Sequence, residues 1–295
     1  MGLRKQVPWW LRMAAKIVLA RLPIGYSFWK RLGMFEHGDM NHPARALETY
    51  LMHAQTGMVG ARSTPTPADF AVLELGPGDS VFTALIARAH GASRTWLVDA
   101  GPFATTDPAA YVAMADYLRA QHYQLPFSST FTDLQSVLSA FHAEYLTAGV
   151  ASLSKIPSKS VDFCFSNAVL EHIPKGDFSR LACELKRLLK SDGVCVHRVD
   201  LKDHLGGGLN NLRFSEATWE GQFFNRSGFY TNRIRYAEML AMFEQAGFKY
   251  EVVRKVTWNQ LPIARTALAK EFKTLPDEDL LVSGFDMVLR IKANG

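Results

Sequence analysis

Ala71-Val72-Leu73-Glu74-Leu75-Gly76-Pro77-Gly78-Asp79-Ser80 is the stretch on which the fold turns. An apolar run with one acid reads as a buried strand, and the glycines after it read as a tight turn into a helix over Ser80–His90. Gly76 and Gly78 let the backbone bend sharply and approach a ligand closely. A dinucleotide fingerprint needs a third glycine at position 81, where Val81 stands. Glu74, just ahead of the turn, would repel a phosphate and attract a cation. The turn therefore suits a positively charged, phosphate-free cofactor better than a dinucleotide. Asp99 ends the next apolar run, 23 residues after Gly76, where a carboxylate can accept from both hydroxyls of a ribose.

Outward from this turn, short apolar runs alternate with helical patterns. The spacing predicts strands at Ala71–Leu75, Arg94–Asp99, Tyr145–Val150, Val161–Ser166, Val194–Leu201, Phe248–Val256 and Phe285–Ile291. Helices are expected at Ser80–His90, Pro108–Gln121, Leu134–Phe141, Phe178–Leu189 and Tyr236–Ala246. Ser191-Asp192-Gly193 reads as the turn closing the fourth of these. Strands alternating with helices make βαβ units, hence a parallel sheet covered on both faces, with ligands at the carboxyl ends of its strands. Ser63-Thr64-Pro65-Thr66-Pro67 reads as a linker, so a helical arm over residues 1–62 is expected to precede a body over residues 63–295.

Composition narrows the class. With 295 residues, 48% hydrophobic and 21% charged, the chain has ample core, which excludes disorder, collagen-like repeats and coiled coil. Its longest uncharged runs, Thr49–Ala61 and Ala120–Thr132, fall short of the roughly 18 apolar residues of a membrane span. Cys164, Cys183 and Cys195 are scattered and form no CxxC pair. They indicate neither a disulfide framework nor a cysteine zinc site, and they fit a reducing, cytoplasmic compartment. The net charge of +5 is uneven, because Arg4, Lys5, Arg12, Lys16, Arg21, Lys30 and Arg31 meet no acid within residues 1–35 and leave the remainder slightly acidic. The same arm carries Trp9, Trp10, Leu11, Met13, Ile17, Val18 and Leu19. A signal peptide is not expected, since Arg12, Lys16 and Arg21 interrupt any apolar core, and Gln6 stands where a myristoylation signal needs Ser or Thr. Two readings of the arm stand: a helix peripheral on the inner face of an anionic membrane, or a cap folded over the core. Nucleic acid is not expected as a partner, because the body has no basic stripe to continue the contact.

Two further segments complete a pattern: Ser160-Val161-Asp162-Phe163-Cys164-Phe165-Ser166-Asn167-Ala168-Val169-Leu170-Glu171-His172-Ile173, and Leu188-Leu189-Lys190-Ser191-Asp192-Gly193. Together with Glu74, Gly76, Gly78 and Asp99, they make the chain resemble the class I S-adenosylmethionine-dependent methyltransferases over about residues 70–295. The first segment is similar to that family's fourth-strand motif and the second to its "LKPGG" turn. The resemblance implies a Rossmann-like α/β fold: a mostly parallel seven-stranded sheet with helices on both faces and an antiparallel last strand. It implies S-adenosyl-L-methionine as cofactor, with Glu74 and the backbone of Leu75, Gly76, Pro77 and Gly78 at its methionine part. Asp99, beside Ala100, would hold the ribose, and Asn167 would line the other side. The acid that often accepts from the adenine amine falls on Val150, leaving Ser152 or a backbone carbonyl for that task.

Methyl transfer from a sulfonium needs the acceptor atom a little over 3 Å from the methyl, and a base for the proton of a hydroxyl. After the fifth strand comes His197-Arg198-Val199-Asp200-Leu201-Lys202-Asp203-His204, then Gly206-Gly207-Gly208. A general base at His204 or His197, oriented by Asp200 or Asp203, is expected, with His172 a further candidate. His204 is preferred, because it lies beyond the carboxyl end of the strand with Asp200 four residues before it. The same groups holding a divalent cation is the less favoured reading, and a solvated loop is the third. Arg213, Trp219, Phe223, Phe224, Arg226, Tyr230, Arg233 and Arg235 interleave aromatics with guanidinium groups in a lid over about residues 205–235. Such a set suits a sugar-like or anionic acceptor, with Asp203, Arg213, Arg226, Tyr230 and Arg233 as substrate contacts; a lid whose aromatics simply pack is the alternative. Leu212–Arg235, with Trp29–Phe35 and His37-Gly38, also resembles a bacterial subgroup of these methyltransferases found with surface-polysaccharide biosynthesis. O-methylation of a hydroxyl on a glycan or sugar-like precursor is expected. The alternatives are a small-molecule or quinone-like lipid methyltransferase, and a cofactor-binding scaffold without turnover.

Overall fold

A computed structural model describes residues 8–19, 41–58, 69–125, 130–225 and 227–292. The seven strands are β1 (Ala71–Leu75), β2 (Arg94–Val98), β3 (Ala143–Leu146), β4 (Val161–Asn167), β5 (Leu189–Asp200), β6 (Phe248–Thr257) and β7 (Val282–Ile291). They form one sheet in the order β3-β2-β1-β4-β5-β7-β6. Neighbours pair parallel from β3 through β5, and β7 runs antiparallel between β5 and β6. The strand order reverses between β1 and β4, so the ligand crevice of such a sheet opens at the carboxyl ends of these two strands.

The period of two along each strand sorts the core into two layers. Ala71, Leu73, Leu75, Trp96, Val98, Cys164 and Cys195 face one layer, and Val72, Leu97, Phe163, Phe165, Val194 and Val196 face the other. The helices in chain order are α1 (Trp9–Leu19), α2 (Pro43–Met58), α3 (Phe82–Ala89), α4 (Pro108–Ala120), α5 (Leu134–Ala140) and α6 (Lys175–Leu188). After β5 follow α7 (Glu216–Trp219), α8 (Gln222–Asn225), α9 (Tyr236–Gln245), α10 (Lys270–Lys273) and α11 (Asp277–Leu280). α6 and α9 cover the first layer, and α2 to α5 cover the second. Local chemistry starts two of them: Asp107 caps α4 ahead of Pro108, and Asp133 with Ser136 forms a capping box on α5.

Three elements depart from the sequence pattern. β3 stops at Leu146, because Gly149 turns at φ +58° and donates its N–H to Asp99 O, starting a 3-10 helix over Gly149–Lys155. Ser191-Asp192-Gly193 does not close a helix but lies within β5, which starts at Leu189 and shifts register opposite Val161 and Phe163. The boundary expected at residue 62 also gives way. α2 buries Ala46, Leu47 and Tyr50 in the second layer, its His53 reaches Ser166 O, and Arg290 donates to Gly57 O. α2 is therefore part of the body. The expected linker Ser63–Pro67 and most of the basic arm lie outside the described residues, and no described helix is long and apolar enough to cross a membrane.

Candidate active site

The β1 turn is shaped by backbone. Gly76 and Gly78 sit at φ +68° and +67°, and the Gly76 N–H donates to Val98 O at 2.8 Å. A Cβ on Gly76 would meet Val169 Cγ2 at 2.4 Å, so the turn is pressed against the loop after β4 where only glycine fits. Asp99 Oδ2 accepts from the Gly78 N–H at 2.9 Å and Oδ1 from the Ala100 N–H at 2.7 Å. Glu74 is buried and accepts from Thr83; burial, with Asp99 adding to it, pushes its carboxyl up to about 8. A cation brought to this pair would restore its ordinary acidity. Across the crevice, Asn167 ends β4 with a buried Oδ1 that has no hydrogen-bond partner. Leu75 and Pro77 border the turn. Two glycine kinks, a diol-ready carboxylate, a buried acid and an orphan amide oxygen are a donor set that fits a cationic nucleoside cofactor. Ser152 is turned inward, its Oγ accepting from the Ala148 N–H at 2.9 Å, and Val150 keeps the neighbouring position apolar.

At the β4–β5 end the sequence-derived residues separate. His204 and His172 are both exposed, and their rings stand 4.8 Å apart. His172 Nδ1 lies 3.0 Å from Tyr230 O, which can only accept, so Nδ1 carries the proton and Nε2 is the basic nitrogen. Asp200, expected to orient His204, gives Oδ1 to the Lys202 N–H and pairs Oδ2 with the Lys202 ammonium. His197 is a correction. It lies inside β5, wholly buried, with Nδ1 against Ser166 Oγ and its ring stacked on Phe243. Burial holds its pKa down at about 3, so it cannot take a proton from an acceptor near neutrality.

Asp203 is a second correction, since its carboxylate is consumed by the Leu205, Gly207 and Asn210 N–H groups and by the Asn210 amide, organising the triglycine turn. The lid arginines follow the same logic. Arg233 is only 4% exposed, donates to Phe214 O at 2.7 Å and to Glu216, and lies between the Trp219 and Phe272 rings. Tyr230 donates to Glu220 Oε2 at 2.8 Å and stacks on Trp219. These groups build the lid rather than face a substrate. Arg213 donates to Asn210 Oδ1 and sits over the Trp9 ring, and Arg226 lies outside the described residues.

Sequence reasoning gave Glu171 no role as a buried acid. Its Oε1 accepts from the Asp200 N–H, its Oε2 has no hydrogen-bond partner, and the residue lines a cavity of about 10 Å³, the size of a single water. Asn211, Arg233 and Arg235 line the same cavity, and Asn211 Oδ1, Arg233 Nε and Arg235 Nε have no hydrogen-bond partner. Burial, with Asp200 adding to it, pushes Glu171 up to about 8. The Asn210-Asn211 and Thr231-Asn232-Arg233 clusters, too polar for an ordinary buried lid, were the available signal. Among the described residues, one set of His, Cys, Asp and Glu side chains gathers its ligand atoms within 4.8 Å: Cys164, Cys195 and His197. It lies in the core rather than in the loop where a cation was considered, and burial keeps the Cys164 thiol protonated.

A sheet in this order, with a backbone-built crevice at its β1–β4 switch point, has the Rossmann-like arrangement that the resemblance to class I methyltransferases implied. A family model described as a methyltransferase domain matches residues 44–253, and the chain belongs to that family. Among solved structures it is similar to Haemonchus contortus phosphoethanolamine N-methyltransferase 2 in complex with phosphomonomethylethanolamine and S-adenosylhomocysteine. That likeness has 15% identity and a TM-score of 0.44, and covers 84% of this chain and 53% of that one. YcgJ from Bacillus subtilis is 18% identical with a TM-score of 0.43, over 82% of this chain and 100% of that one. An S-adenosylmethionine-dependent methyltransferase from Mesorhizobium loti is 16% identical with a TM-score of 0.42, over 84% and 100%. A comparison with curated proteins finds no match.

Proposed function

We propose that this methyltransferase binds S-adenosylmethionine at the β1 turn and O-methylates a hydroxyl of a glycan or sugar-like precursor, working in the cytoplasm at the inner face of a membrane. When bound, the cofactor supplies a methyl group on a sulfonium, open to in-line displacement. Asp99, fixed at the carboxyl end of β2 by the Gly78 and Ala100 N–H groups, would hold the ribose diol. Glu74 balances the positive charge from within the sheet.

The observation that carries the hydroxyl reading is the imidazole pair at the carboxyl edge. For an acceptor hydroxyl to take the methyl that the cofactor would supply, its proton must be removed by a group of this chain. We assign that proton to His204, because it is exposed at this edge with its ring 4.8 Å from that of His172. His172, its Nδ1–H fixed on Tyr230 O, orients the neighbouring ring. Label transfer from methyl-labelled S-adenosylmethionine into glycan and lipid fractions tests the proposal. Label in a glycan ether, reduced about 10²–10⁴-fold by His204→Ala at unchanged cofactor affinity, is the expected result. Label in a quinone-like lipid would replace the glycan reading, and equal turnover by the variant would remove His204 from the chemistry.

A further inference from the structure

α1 is apolar on two adjoining stripes. Trp9, Met13 and Ile17, spaced four apart, pack against the lid cluster of Leu205, Trp219, Phe224, Phe229 and Tyr230. Trp9 meets Phe214 edge-on at 6.1 Å and carries the Arg213 guanidinium 5.2 Å above its ring. The next stripe faces outward: Trp10 is 55% exposed, Leu11 46% and Val18 60%. The lid adds Phe223, 51% exposed, whose ring packs on Phe224 at 5.2 Å. Large apolar side chains left outward along one helix face call for an apolar partner.

Charge selects which one. Residues 1–35 carry seven basic residues and no acid, while the remainder of the chain is slightly acidic. A short helix with tryptophan and aliphatic residues toward the outside, in a strongly basic segment, has the chemistry of a helix lying in the interface of an anionic bilayer. At 11 residues it is far too short to cross one.

We propose that α1 is a membrane-docking clasp: its Trp10–Leu11–Val18 face enters the surface of an anionic bilayer while its Trp9–Met13–Ile17 face holds the substrate lid. Docking fixes α1 and thereby steadies the lid, so acceptor binding is coupled to the membrane surface. The inference deepens the membrane placement of the proposed function and rests on the methyltransferase reading for what the lid covers.

Co-sedimentation of the full chain with phosphatidylglycerol–phosphatidylcholine vesicles tests the docking, and hydrogen–deuterium exchange over residues 205–235 tests the coupling. The chain is expected to pellet with anionic vesicles but not with phosphatidylcholine alone, and to be released by salt. Trp10→Glu with Val18→Glu should weaken partitioning about tenfold or more, since both side chains leave the apolar phase. Exchange in the lid should slow on anionic vesicles in the wild type and stay unchanged in the variant. Val18→Asp alone provides the same comparison if the double variant fails to fold. S-adenosylhomocysteine titration separates the two proposals, because a docking-deficient variant keeps its cofactor affinity. The proposal is overturned if the wild type fails to pellet at low salt, if the variants pellet equally, or if a dimer of this chain buries the same face. Docking with unchanged lid exchange would overturn the coupling.

Discussion

At the β1–β2 end of the sheet, the ligand-facing surface is backbone: two glycines at positive φ, two N–H groups on one carboxylate, and a buried acid behind them. At the β4–β5 end, Arg233, Tyr230, Asp203 and Arg235 hydrogen-bond to the loops that surround them. The first site is a shape that local sequence dictates. The second is a joint between distant segments, in which side chains of binding type serve as mortar. The same residue types can therefore mean recognition at one end and construction at the other, and burial decides which.

The comparison breaks first at Gly76. Gly76→Ala adds a Cβ 2.4 Å from Val169 at a φ of +68°, and strain plus overpacking should cost about 4 kcal/mol. Calorimetry should show S-adenosylhomocysteine affinity reduced at least about a hundredfold. Gly207→Ala is the control, since that glycine also has positive φ but a Cβ there meets nothing within 4 Å. It should cost only about 1 kcal/mol and leave the cofactor bound.

Arg233→Met tests the other half. The guanidinium is buried among Phe214 O, Glu216 and two rings, so its loss should cost about 3 kcal/mol in denaturant unfolding and expose the lid to proteolysis. Cofactor affinity should stay within about twofold. A variant with a stable lid would return Arg233 to the substrate-binding role.

Local pattern made the cofactor end readable. Glu74, Gly76, Gly78 and Asp99 lie within 26 consecutive positions, on one βα turn and the end of the next strand, where spacing alone sets geometry. Strand alternation gave the sheet for the same reason. His197 misled because a strand residue two positions after Cys195 shares its buried face, which the polar character of the stretch concealed. Arg233 and Tyr230 misled because their partners, Phe214, Glu216 and Glu220, are set by the fold of the lid, and Asp203 because its carboxylate turns back on its own loop at Leu205, Gly207 and Asn210. The cavity at Glu171 joins residues 40 and more positions apart, as Asn211 and Arg235 do with it, and no periodicity announces it.

Glu171→Gln sharpens the contrast through pH. Folding raises the Glu171 carboxyl from an ordinary 4.5 to about 8, so the folded state holds a proton that the unfolded state releases. Its contribution to stability is therefore full below about 4.5, falls as pH rises through that window, and is flat above about 8. Removing one such group should take away a slope of up to about 1.4 kcal/mol per pH unit. Denaturant midpoints at pH 5, 6.5 and 8 should fall less steeply in the variant. Parallel profiles would mean that Glu171 is ionised throughout.

The central claim, a cofactor site built on the β1 turn and Asp99, is tested most directly by titrating S-adenosylhomocysteine into wild type and Asp99→Ala. The wild type should bind with one-to-one stoichiometry. The variant, losing the ribose contact and leaving the Gly78 and Ala100 N–H groups unpaired, should bind about 2–4 kcal/mol more weakly. No heat of binding in the wild type, or equal affinity in the variant, would contradict the account.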